Sequence, residues 1–208
     1  MQVKKVLSRG VNFNHVFDSV SSSINQADIF FIGDDRSVSP ELFEQEPSGL
    51  SERDYDPVYD VESIKAFNQA LRRQNIKLIV GINYGALLAC GLAGGGLIAH
   101  VSNHKGNGLK RAKYGSKEYL LPSNHTQMMY PYNLDSSEYE VLVHSLDKSD
   151  RYIGENIPLT SNADFKEPEY VLFKGFAKPV LAIMPDVSRM RLTTRTVRMT
   201  NDIINKYI

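Results

Sequence analysis

The stretch Leu78-Ile79-Val80-Gly81-Ile82-Asn83-Tyr84-Gly85-Ala86-Leu87-Leu88 constrains this chain more than any other. An apolar run suited to a strand passes into Gly-x-Asn-x-Gly and then into an apolar helical pattern. The layout predicts an elbow that displays its central residue, Asn83, at the C-terminal end of the strand. The flanking glycines allow close packing. The central position needs φ > 0, which Asn tolerates better than other non-glycine residues. A carboxamide has no ionisable nucleophilic atom, so Asn83 suits the geometry of a nucleophile elbow and lacks its chemistry.

The elbow sits inside an uncharged run, Leu78 to Ala99, long enough on length alone to cross a bilayer. Six glycines interrupt it, and Asn83 and Tyr84 lie near its start. A buried strand followed by a buried helix fits that pattern, and no membrane span is expected. With 208 residues the chain suffices for a single domain, residues 1–208, with a substantial core. The 24 basic residues balance the 24 acidic ones, so charge gives no reason to expect nucleic acid as a partner. The single cysteine, Cys90, excludes an internal disulfide framework and suits a reducing cytosol. MQVKKVLSRG lacks the apolar region of a signal peptide, and a cytoplasmic location is expected.

Apolar runs alternate with helical patterns elsewhere, which predicts an α/β fold with a largely parallel sheet and helices on both faces. Strands are expected at Val3–Leu7, Ile29–Ile32, Lys77–Val80, Tyr139–His144, Tyr170–Phe173 and Val180–Met184. Helices are expected within Asn14–Gln26, at Val61–Arg73, where Ile64, Phe67 and Leu71 share a face, and at Val197–Ile208. Two loops are expected. Gly33 to Tyr59 is polar with three prolines, and Lys105 to Ser116 is rich in Gly and Lys.

Four segments in order resemble the class I glutamine amidotransferases, within them the γ-glutamyl hydrolase-like branch met in phages and bacteria. The elbow Gly81-Ile-Asn83-Tyr-Gly85, followed by Leu87-Leu88 and Gly94-Gly95-Gly96, is similar to that family's Gly-x-Cys-x-Gly segment. Phe31-Ile32-Gly33-Asp34-Asp35, leading to Ser37-Val38-Ser39-Pro40, resembles its strand ending in Gly-Gly. His100-Val-Ser-Asn-His104 is a third segment. Ser123-Asn-His125-Thr126-Gln127 is similar to a Ser-x-His-His-Gln stretch.

The resemblance covers nearly the whole chain. It implies a three-layer, flavodoxin-like fold with a mostly parallel central sheet. It also implies where chemistry has been lost. The family uses a Cys thiolate, a His that activates it and a Glu that orients the His. Asn83 occupies the nucleophile position. The His-Pro-Glu segment after a late strand is here Met184-Pro185-Asp186, so the base is a methionine. Asp34 replaces the second glycine of the oxyanion turn after Gly33, and its charge opposes a developing oxyanion. Gly33, Asp34, Tyr84, His125 and Gln127 would line the vestigial pocket. The glutaminase reaction is expected to be absent, with no cofactor.

Other residues carry competing readings. Cys90, seven residues after Asn83, reads as a core thiol rather than a substitute nucleophile. His100 and His104 have i, i+4 spacing, but a strand entering a loop does not place both on one side, and no metal site is expected. His125 is a pocket residue or a loop histidine. Met128-Met129-Tyr130-Pro131-Tyr132 suits core, pocket lining or a partner surface. Arg189, Arg191, Arg195 and Arg198 form a solvated face or meet an anion.

Two functions follow as expectations. One is a non-catalytic module that binds a protein partner or a small γ-glutamyl-like ligand, in the host cytoplasm if phage-encoded; the family's relatives also make a homodimer plausible. The other is a hydrolase of an amide or γ-glutamyl substrate that uses His125, Asp34, Asp35 or Asp186.

Overall fold

The computed structural model describes residues 29–33, 61–101, 108–122, 127–147, 151–153, 166–185 and 193–208. Ten strands, three α-helices and one 3-10 turn at Pro131–Asn133 occur among them. In chain order they are β1 (Ile29–Gly33), α1 (Val61–Arg72), β2 (Leu78–Ile82), α2 (Tyr84–Leu92), β3 (Gly96–Val101), β4 (Leu109–Tyr114) and β5 (Lys117–Pro122). There follow β6 (Gln127–Tyr130), β7 (Tyr139–Ser145), β8 (Arg151–Ile153), β9 (Pro168–Phe173), β10 (Val180–Ile183) and α3 (Thr194–Lys206). The expected strand at Val3–Leu7, helix within Asn14–Gln26 and loop from Gly33 to Tyr59 lie outside the described residues, apart from Gly33 itself, which ends β1.

Seven strands form one sheet in the order β1-β2-β10-β9-β7-β4-β5, and β6-β3-β8 form a second. The side chains of the large sheet divide by alternation, as period 2 requires. Leu78, Val80, Ile82, Leu181 and Ile183 face Met199, Ile203 and Ile204 of α3. Ile79, Val180, Ala182, Phe30 and Ile32 face Ala66, Phe67 and Ala70 of α1 and Ala86–Cys90 of α2. Helices therefore cover both faces, and β2 is buried along its length. The predicted apolar stripe of α1 is where the packing falls, with Phe67 fully buried and Ile64 and Leu71 beside it.

The sheet corrects the expectation of a mostly parallel one. Among the described residues it is mixed, and still compatible with a flavodoxin-like fold, its parallel part being β1-β2-β10. There β2 runs parallel to β1 and β10. The pairings of β10 with β9, β9 with β7, β7 with β4 and β4 with β5 are antiparallel. Connection length is the reason. Only six residues join β9 to β10 and two join β4 to β5, too few for the crossover that a parallel pair needs.

The Lys105–Ser116 loop is also corrected in its described part, because Leu109–Tyr114 is a strand. Gly115, at φ 57, sits first in the two-residue turn that reverses the chain into β5. The charged residues concealed the alternation, in which Lys110 and Ala112 are buried and Arg111 is exposed. The uncharged run from Leu78 is divided among β2, α2 and β3. Among the described residues no helix is long and apolar enough to cross a membrane. Met128 and Met129 are core residues of β6.

Candidate functional site: an elbow at the strand ends

Asn83 joins β2 to α2 with φ 49 and ψ −106 and is the only non-glycine residue at positive φ among those described. The flanking structure enforces that conformation. A Cβ on Gly81 would lie 2.4 Å from the carbonyl oxygen of Gly85, so the first turn of the helix is laid directly on the strand. The Asn83 N–H donates to the Ile183 carbonyl at 2.7 Å, tying the elbow to β10. Its carbonyl accepts from the N–H groups of Ala86 at 2.9 Å and Leu87 at 3.1 Å. The carboxamide makes no capping bond to the helix. Asn83 is therefore fixed by its backbone while its side chain is held half-buried at the mouth of the elbow.

Register brings the sequence-predicted positions together. Gly33 pairs with Ile82, and Ile82 pairs with Ile183, so three parallel strands end in one row. Asn83 and Met184 are the next residues on β2 and β10. In open α/β sheets the crevice beyond such carboxyl ends is the usual ligand site. Met184 donates its N–H to the Glu169 carbonyl at 2.8 Å. Its side chain is 0% exposed and belongs to the cluster that contains Ala86 and Leu87. A buried thioether accepts no proton at neutral pH, so Met184 contributes packing here.

The remaining candidates divide. Tyr84 is half-buried as the first residue of α2. Gln127 opens β6 and pairs with Ala99 on the smaller sheet, so its backbone is not part of the row. Asp34, Asp35, His125, Asp186 and His104 lie outside the described residues, as do Arg189 and Arg191. Arg195 and Arg198 are exposed on α3. His100 lies in β3, opposite Tyr152 of β8. Cys90 is fully buried, its thiol donates to the Gly96 carbonyl at 3.4 Å, and burial pushes its pKa up to about 12. A thiol so held is not a thiolate nucleophile.

Sequence reasoning missed a polar cluster at this same end of the sheet. Lys110 Nζ lies 2.5 Å from Glu169 Oε1, with both side chains excluded from solvent. Glu167 is 2% exposed, and its carbonyl accepts from the Ser145 N–H at 2.8 Å. Because the Glu169 carbonyl also accepts from Met184, the ion pair stands one strand from Met184. Beside it, Arg111 donates through Nε and Nη2 to Asp147 Oδ1 at 3.0 and 2.9 Å. The only signal in the sequence was the pair of glutamates two residues apart, on one side of a future strand. The ion-pair partner of Glu169 sits about sixty positions away, and only the strand order brings it near.

Chemically, the described elbow offers an amide donor and acceptor on a rigid backbone beside an apolar plug. No protein-family model matches the chain, and no curated protein sequence is similar to it. Among solved structures, a protein from Thermoplasma acidophilum assigned as a GMP synthase component is similar over 70% of this chain and 66% of its own length. The identity is 14% and the TM-score 0.44.

Proposed function

We propose that this chain is a catalytically inactive protein of the class I glutamine amidotransferase type, with the three-layer, flavodoxin-like fold of that family and its elbow kept as a scaffold. It works as a binding module in the cytoplasm, of the host where a phage encodes it, and takes a protein partner or a small γ-glutamyl-like ligand. One observation carries the reading: Asn83 retains a strained φ of 49 while the neighbouring strand end presents a fully buried methionine. Strain of this kind costs on the order of 1–3 kcal/mol and persists where the surrounding structure imposes it. An amide at the nucleophile position and a thioether at the base position leave acyl transfer without its two moving parts.

The test is turnover of glutamine and of γ-glutamyl peptides by the wild type beside an Asn83→Cys, Met184→His, Asp34→Gly variant. The wild type is expected to be inert. Turnover by the wild type that survives Asn83→Ala would sink the reading, because a different nucleophile would then be at work. Gain of turnover by the triple variant would place a working pocket above the elbow.

A further inference from the structure

Lys110 and Glu169 meet in surroundings that the Arg111–Asp147 and Lys174–Glu140 pairs do not share. Those two pairs reach water, whereas the side chains of Lys110 and Glu169 are excluded from it. The contact forms where β7 stops. Ala112 of β4 pairs with Ser145, the last residue of β7, so Lys110 lies two residues beyond the end of that strand. Its side chain meets Glu169, the second residue of β9, past the end of the strand between them. Glu167, two residues before Glu169, is a second buried carboxylate at this end of the sheet.

An amine and a carboxyl group held this way are placed to react. With Nζ 2.5 Å from Oε1, the nitrogen stands about 3 Å from Cδ, a near-attack separation. Fixing both groups in the fold replaces a bimolecular encounter with an intramolecular one, which greatly raises their effective concentration. Burial also changes the balance between reactants and product. In water an ammonium and a carboxylate are favoured over the amide they could form. In a dry site both charges carry a desolvation penalty, the amide carries neither charge, and the water released leaves for the solvent.

We propose that Lys110 and Glu169 condense after folding into an isopeptide bond between Nζ and Cδ, with Glu167 relaying a proton. The Lys110 ammonium first passes a proton to the Glu169 carboxylate, which leaves a neutral amine beside a carboxylic acid. The amine attacks Cδ, the N–C bond forms, and the carbonyl electron pair moves onto oxygen. Glu167 takes a second proton from the nitrogen and delivers it to the Cδ hydroxyl. That group departs as water when the C–O bond breaks and the carbonyl re-forms. One water is lost, nothing is oxidised or reduced, and Glu167 ends as it began. The condensation is slow beside folding, so the freshly folded chain holds the ion pair and the aged chain the amide. The new bond joins β4 to β9 and closes a covalent loop of about sixty residues.

The test is intact-mass spectrometry of the full chain, sampled from purification through several days of incubation. The wild type should lose about 18 Da, the mass of one water. Trypsin should then release a branched peptide that joins residues 106–111 to 167–174, uncut after Lys110. Full mass at the end of the incubation, with ordinary cleavage after Lys110, would overturn the proposal. So would a water loss that persists in Lys110→Met, because it would then come from another site. Should that variant not fold, the wild-type branched peptide decides the matter by itself, and fragment ions that put the junction on Glu167 count against the assignment. Glu167→Gln should slow the appearance of the lighter species about a hundredfold, the scale of one proton-transfer group. An unchanged rate would remove Glu167 from the reaction.

Discussion

Asn83 is held by contacts that its side chain does not make. Its N–H is bound to β10, its carbonyl begins α2, and Gly81 lets the helix approach the strand. Two substitutions separate these causes. Asn83→Val should lose about 2–3 kcal/mol, because a β-branched residue resists positive φ, whereas Asn83→Gly should stay within about 1 kcal/mol of the wild type. Gly81→Ala should cost about 2 kcal/mol or more, since its Cβ would meet backbone 2.4 Å away. Urea unfolding of the three variants checks the order, and an Asn83→Val protein as stable as the wild type would mean that the elbow is not strained.

At the scale of the elements, β4 and β9 are bound by a charge pair where a sheet interior ordinarily carries apolar side chains. The Lys110–Glu169 pair is fully buried, so losing one partner should cost more than losing both. Lys110→Met alone is expected to destabilise by about 3–5 kcal/mol, and Lys110→Met with Glu169→Leu to recover most of that loss. Thermal unfolding of the cycle decides it, and additive losses would show that the two side chains do not act as a pair. The same pair explains what was legible in the sequence. The elbow, α1, β2 and β10 were readable because their apolar periodicity matches what they bury. The strand β4 was not, because its inward position is Lys110, whose reason for burial is a residue on another strand. The antiparallel half was hidden likewise, since the apolar runs of β9 and β10 read the same in either direction. Only their short connection decides. At the site, the positions of Asn83 and Met184 were visible from residue types, but the burial of Met184 required the packing of α2 against β10.

Among the described residues, the buried charged side chains Lys110, Glu167 and Glu169 gather at one end of the large sheet. The row of Gly33, Asn83 and Met184 continues through Glu169 to Lys110. That asymmetry leaves the Asn83 elbow beside a charged, buried neighbourhood, and His144 is where it meets pH. His144 stands opposite Lys113 on β4 and Pro168 on β9 and is half-buried. Burial lowers its pKa from the usual imidazole value, and the charges of Lys166 and Lys113 push it the same way against an opposing effect of Glu169. A base with a depressed folded pKa favours the native state only while neutral. Stability is therefore undiminished above the unfolded value, near 6.5, and is lost as pH falls through that value toward the folded one. The wild type should lose more stability than His144→Gln as pH falls below about 6.5. Salt should reduce the difference, because Lys113 and Lys166 act on a ring that solvent partly reaches. Urea midpoints for both proteins at several pH values measure it. Parallel curves would mean that the imidazole titrates alike in both states, and that the lysines flanking it do not govern the acid response of this sheet.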